Sequence, residues 1–214
     1  MTADLRRVRE RIAAGELRDR CEGVRELAAV EGEEATHALV DLLNDPSWYL
    51  RERVVEALVA RPDAAAAGRA VTRVLREGDW FARASACDVV GRTGDLDAAP
   101  DVIAQVEDRN VSLQKSAVRA LRRLAETHGS LDLARRIAAL PDHRRRRALT
   151  RIGHQEPRWA MELEHAMAGF PSEAFGAIDP DKALPAVPDP GAAERAVVRF
   201  RKWLTQLSPE GGRR

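Results

Sequence analysis

The chain has 214 residues, of which 44% are hydrophobic, 32% charged and only 4% aromatic, and its formal net charge is +1. That length holds one large domain or one and a half small ones, and the composition suits helices around a thin core of Ala, Val and Leu. No run reaches the ~18 apolar residues of a membrane span, and the N-terminal MTADLRRVRERIAAG lacks the apolar stretch of a signal peptide. Two cysteines make no disulfide framework, so the cytoplasm is the expected location.

Taken in order, Ala3–Ala14 reads as a first helix, with Leu5, Val8 and Ile12 in helical spacing, and Arg20–Val30 as its antiparallel partner. Glu33–Asn44 pairs with Trp48–Ala60 across the turn signal Asn44-Asp45-Pro46. Asp63 is placed to cap Ala64–Glu77, because a short carboxylate there accepts from the free first-turn amides. Gly78 closes that helix and Trp80–Arg92 partners it. Pro100–Asp108 and Asn110–Thr127 follow, the latter ended by His128-Gly129, and Ser130–Leu140 with Asp142–Ile152 makes the fifth pair. Pro157–Ala168, with Trp159, Leu163 and Met167 four apart, closes the stack. Five prolines between Gly169 and Gly191 (171, 180, 185, 188 and 190) favour an extended, stiff connection. Ala192–Leu207 is then an amphipathic helix with Phe200 and Trp203 as its anchors, suited to capping the stack, to a partner or to an anionic membrane surface. The expected organisation is 1–168 solenoid, 169–191 proline-rich linker, and 192–214 C-terminal helix and tail. No strand is predicted.

The second helices share one frame. Leu50, Val54, Val55 and Leu58 recur at i, i+4, i+5 and i+8, on one helical face. The same four slots hold Ala82, Ala86, Cys87 and Val90, then Leu113, Ala117, Val118 and Leu121. Weaker copies contribute Gly23, Val24 and Leu27, and Ala148, Leu149 and Ile152. The first slot falls at 19, 50, 82, 113 and 144, in steps of 31, 32, 31 and 31, and a regular step of that size marks a helical solenoid. The fold class expected is all-α, an α-α superhelix of about five pairs.

An acidic turn, an apolar residue followed by Arg, two small residues and a Leu make up this pattern: D45…L50-R51…V54-V55…L58, and D79…A82-R83…A86-C87…V90. It resembles the short HEAT-like repeats of the phycobilisome-lyase type, over residues 3–155. The resemblance implies an armadillo-like stack in which the Arg and the turn Asp bond to each other or to the next repeat's loop as a ladder, so Arg20, Arg51, Arg83 and Arg145 are expected to be structural, paired with Asp45, Asp79 and Asp142 or their neighbours. Gln114 interrupts that series.

Function is less legible than architecture, since helical repeats serve binding, assembly and a few enzymes alike. Residues 1–106 carry 15 basic and 20 acidic side chains, and residues 107–214 carry 20 and 14. In such repeats the second helices line the concave face. There the off-core positions of repeats four and five hold Lys115, Arg119, Arg122, Arg123, Arg146, Arg147 and Arg151, a candidate groove for an acidic protein segment or for phosphates. Trp48-Tyr49 and Trp80-Phe81 begin two second helices. They either pack under the turns or form an exposed edge for a base, ring or peptide.

A non-enzymatic scaffold binding a protein partner along the groove is the leading expectation. The alternatives are a nucleic-acid-binding protein related to the HEAT-like alkylpurine DNA glycosylases, or a phycobilin-lyase-like subunit. Glycosylase chemistry needs a carboxylate beside aromatic rings, but Ala84 and Ser85 follow Trp80-Phe81 by one turn, and Glu52 follows Trp48. Histidines 37, 128, 143, 154 and 165 show no pair at metal-ligand spacing, and Glu162-x-x-His165 reads as a surface ion pair. No catalytic residue, metal or cofactor is expected, and the frame leaves oligomeric state open.

Overall fold

The structure, a computed structural model, describes residues 3–62 and 64–168. The Asp63 cap, the linker at 169–191 and the helix at 192–207 lie outside the described residues.

Among the described residues the chain is helix after helix with no strand: α1 (Ala3–Ala14), α2 (Leu17–Ala28), α3 (Glu33–Asp41), α4 (Trp48–Val59), α5 (Ala64–Ala70), α6 (Thr72–Glu77), α7 (Trp80–Thr93), α8 (Ala99–Val106), α9 (Val111–His128), α10 (Ser130–Ala138), α11 (Asp142–Gln155) and α12 (Pro157–Met167). The repeat frame explains the core. In all five copies the second, third and fourth slots are buried, from Gly23, Val24 and Leu27 to Ala148, Leu149 and Ile152. The first slot is buried where it is apolar, whereas the weaker copies carry an exposed Asp19 and a half-buried Arg144 paired with Glu107. Each fully buried Leu or Val in these slots contributes about 1.5–3 kcal/mol relative to an exposed one.

The second helices start at one register, two residues before the first slot, and in two of them the residue three before that slot caps the helix with its side chain. Ser47 accepts from Leu50 N, and Asn110 accepts from Ser112 N and Leu113 N. The second helix of repeat one starts at Leu17, three residues before the expected Arg20 but in register with the other repeats, and Glu16 holds extended backbone angles at its cap position. Leu42–Asn44 tightens into a 3-10 turn before the Asp45-Pro46 corner. The expected Ala64–Glu77 helix is interrupted at Val71, where ψ flattens to −9°, although Val71 N still donates to Ala67 O at 3.2 Å.

Two layers result. Helices α2, α4, α7, α9 and α11 are neighbours in turn, and α3, α5–α6, α8 and α10 form the other layer. Their shared apolar side chains merge into one continuous core, as a solenoid requires. Small residues set the approach of the layers' members. A Cβ on Gly91 of α7 would lie 2.7 Å from Ala120 Cα of α9, and one on Gly23 would lie 2.5 Å from Ile12 Cγ1. The last repeat departs from the expected simple pair: α10 and α11 each pack more closely on α12 than on each other. Trp159 is buried there, so α12 works as the wedge that covers the end of the described stack.

Candidate binding surfaces

The Arg at the second position of the frame is a fastener. Arg20 Nε donates to Ile12 O at 3.0 Å, and its guanidinium bonds the Asp45 carboxylate of the next repeat's turn. Arg51 Nη1 donates to Asp45 O (2.7 Å) and Pro46 O (2.9 Å). Burial lowers the Arg51 pKa against the opposing pull of Asp45. Arg83 bonds the next repeat's loop rather than the Asp79 carboxylate, one of the two arrangements the resemblance implies. It reaches forward to Asp108 Oδ2 at 2.9 Å and to Gln105 Oε1 at 2.8 Å. Asp79 instead starts α7 without a side-chain cap bond. Arg145 Nη2 bonds Asp142 Oδ1 at 2.6 Å. Gln114 does not interrupt the series: its amide donates to Asp108 O, the equivalent of the Asp45 carbonyl that Arg51 takes.

Asp108 and Gln105 are residues that sequence reasoning missed. Asp108 Oδ1 accepts from Asn110 N at 2.7 Å, just as Asp45 Oδ1 accepts from Ser47 N at 2.9 Å. The signal was available, since both acids stand five residues before their first slot. The Asn110 amide first, and Arg83 after it, hold the Asp108 carboxyl below the usual carboxylate range despite partial burial.

The seven basic residues of repeats four and five divide into two sets. Arg122 pairs with Glu126 (3.3 Å) and Glu156 (3.9 Å) and lies 5.4 Å from the Trp159 ring centre. Arg123 pairs with Asp88 of the preceding repeat, and Arg147 with Glu107 at 3.5 Å. These three are neutralised within the fold. Arg119 donates to the Ser116 hydroxyl at 3.2 Å and has no acidic partner among the described residues. Lys115, Arg146 and Arg151 are exposed and have no acidic partner among the described residues. Arg25 on α2 is likewise without one.

Trp48, Tyr49 and Trp80 are exposed, while Phe81 is half-buried against the core. Trp80 meets Phe81 edge-on, with centroids 5.8 Å apart at 81°. The guanidinium of Arg51 stands 4.6 Å over the Phe81 ring. A cation on that ring is the opposite of what stabilises a positively charged sugar, so this aromatic pair does not fit glycosylase chemistry. Tyr49 has Arg53 over its ring at 5.1 Å, and Arg53 also bonds its hydroxyl (3.1 Å) and Glu56 (2.9 Å). Tyr49, Arg53 and Ala57 of α4 face Cys21, Val24 and Arg25 of α2 across a shallow cleft of about 440 Å³.

The remaining candidates carry no chemistry that converges. Glu162 accepts from Ser130 Oγ at 2.9 Å, and His165 Nδ1 hydrogen-bonds Met161 O at 2.8 Å. Burial pushes the Cys87 thiol far above its ordinary range, which keeps it an unreactive core residue. Among the described residues there is no group of three or more His, Cys, Asp or Glu placed to hold a metal ion, and no helix is long and apolar enough to cross a membrane.

No family model matches the chain, and no curated protein matches it. Among solved structures, a designed armadillo repeat protein in complex with a (KR)4 peptide aligns over 93% of this chain and 99% of its own, with a TM-score of 0.36 and 13% identity. At that score and identity the likeness speaks to neither ligand nor residue roles.

Proposed function

We propose that the chain is a non-enzymatic helical-repeat scaffold that holds an acidic segment of a protein partner on its second-helix face, with Lys115, Arg119, Arg146 and Arg151 as the contacting cations. The observation that carries this reading is the absence of any acidic partner for these four among the described residues, beside three basic neighbours that are neutralised. Like charges held together on two adjacent helices repel, and a carboxylate-rich ligand relieves that repulsion. Because the helices are fixed by the core and by the Arg fasteners, little ordering entropy is lost when the ligand binds. Charge complementarity of this kind speeds encounter and sets specificity more than it sets affinity.

The test is a fluorescence-anisotropy titration of the full chain with a fluorescein-labelled Glu/Asp-rich peptide and, separately, with duplex DNA. The peptide is expected to bind, and Arg146→Glu/Arg151→Glu to weaken it by about tenfold, equivalent to ~1.4 kcal/mol. Four phosphate contacts would give DNA binding a log–log salt slope of about −3.6. Should DNA bind more tightly than the peptide at physiological salt with a slope near that value, nucleic acid replaces the acidic protein segment as the ligand. Should neither bind at low salt, both readings fail.

A further inference from the structure

Four of the seven exposed large apolar side chains among the described residues share one position, while Leu131 and Met161 lie on α10 and α12. Leu17, Trp48, Trp80 and Val111 are 44%, 69%, 46% and 59% exposed, and each is the first residue of a second helix. All four stand two residues before the first core slot, in steps of 31 or 32 residues. They therefore recur once per repeat along α2, α4, α7 and α9, which are packed neighbours in that order. Among the described residues no core slot calls for them. A helix's first position lies outside the core stripe, and a polar side chain there would leave every buried slot filled. Tyr49 widens the row, since it lines a cleft together with Leu17, and the Phe81 edge against Trp80 does the same one repeat on.

The row stops at repeat five, where the equivalent residue is Asp142, its charge taken up by Arg145. Cations without an acidic partner among the described residues gather toward that end. Lys115 lies one turn beyond Val111 on α9, and Arg146 one turn beyond Asp142 on α11. An apolar track thus runs into a basic end.

We propose that this row binds an extended, proline-containing segment of the partner in the polyproline II conformation, apolar at every third residue and acidic at the end that reaches repeats four and five. The inference rests on the protein-partner reading above and names the chemistry of that partner. Spacing selects the conformation. Packed helices lie about 8–10 Å apart, and a polyproline II segment, rising about 3.1 Å per residue, returns to the same face every ~9.3 Å. A β-strand returns to one face every ~6.8 Å, and an α-helix every ~5.4 Å, both out of step with the row. Exposed Trp and Tyr rings in file are the surface on which proline-rich segments dock. Charge complementarity orients the segment, because four cations without an acidic partner among the described residues stand toward one end of the track, against Arg25 at the other.

The experiment compares three fluorescein-labelled peptides on the full chain. The first carries proline-plus-apolar units in a three-residue period followed by a Glu run. The second keeps the Glu run but replaces the prolines and apolar residues by Gly and Ser. The third shuffles the first into a helix-forming order. The variant is Trp48→Ala/Trp80→Ala, whose exposed positions leave the core intact, with far-UV circular dichroism as the check. The first peptide is expected to bind best, and the variant to weaken it at least about tenfold, as loss of aromatic anchors does, while leaving the second peptide's weaker binding unchanged. Equal binding of the first two peptides with no effect of the variant overturns this inference and leaves acidic-segment binding standing. Preference for the helical shuffle overturns the assigned conformation, and failure of all three to bind overturns the function proposed above as well.

Discussion

Arg83→Ala tests whether the stack is fastened from repeat to repeat. Arg83 stands on α7, with its side chain 23% exposed, and reaches Asp108 (21% exposed) and Gln105, both of the next repeat. Gln105 is buried and already spends its amide N–H groups on Leu75 O and Asp101 O, each at 2.9 Å. Removing Arg83 leaves Gln105 Oε1 without its donor, a loss of about 1–3 kcal/mol for a buried acceptor. The partly exposed pair with Asp108 adds about 0.5–1 kcal/mol. The expected total is about 2–3 kcal/mol, or a fall in melting temperature of roughly 5–10 °C for a domain of this size. Urea unfolding followed by circular dichroism measures it, with Arg76→Ala as the comparison. Arg76 bonds Asp101 across the same two repeats at 2.8 Å, but through a solvated side chain, so its loss should change stability little. A smaller m-value in Arg83→Ala would show the repeats uncoupling, since a solenoid's stability is built from nearest-neighbour interfaces.

The same variant makes a pH prediction. Asp108 has a carboxyl pKa lowered in the fold, by the Asn110 amide foremost and by Arg83. A depressed carboxylate adds stability that is fully present above its unfolded pKa of about 3.9 and is lost as pH falls through that value toward the folded one. The coupling between Arg83→Ala and Asp108→Asn in a double-mutant cycle should therefore be constant near neutrality and shrink below about pH 4. If Arg83→Ala costs no more than Arg76→Ala, the fastener reasoning is wrong.

Two further predictions follow from packing. Gly91→Ala should destabilise by about 1–2 kcal/mol in spite of Ala's ~1 kcal/mol helix-propensity advantage, because the new Cβ meets Ala120 Cα at 2.7 Å and α7 must draw away from α9; a gain in urea midpoint would refute it. Cys21, half-buried beside the α2–α4 cleft, should react with a thiol reagent in the native protein, whereas Cys87 should react only after unfolding. Reaction of both in native buffer at one rate would contradict the burial of α7's core slots.

The frame from Leu50 to Leu58, repeated at steps of 31 or 32, determined the helical pairs, their buried face and their stacking. Helical periodicity is local, and a side chain's place on a helix follows from its position in the chain. Turn residues such as Ser47 and Asn110 set the helix starts for the same reason. The seven basic residues looked alike in sequence, and only tertiary contact separated them. Arg123 and Arg147 found Asp88 and Glu107 at sequence separations of 35 and 40, which no local pattern encodes. Arg83 took Asp108 rather than Asp79 because its guanidinium spans the interface between repeats. Exposure of Trp48 and Trp80 was also decided in three dimensions: the core stripe excludes the first position of each helix, and what lies over that position depends on how neighbouring repeats pack. Periodicity is written within one helix, but charge compensation and exposure belong to the surfaces that separate helices present to one another.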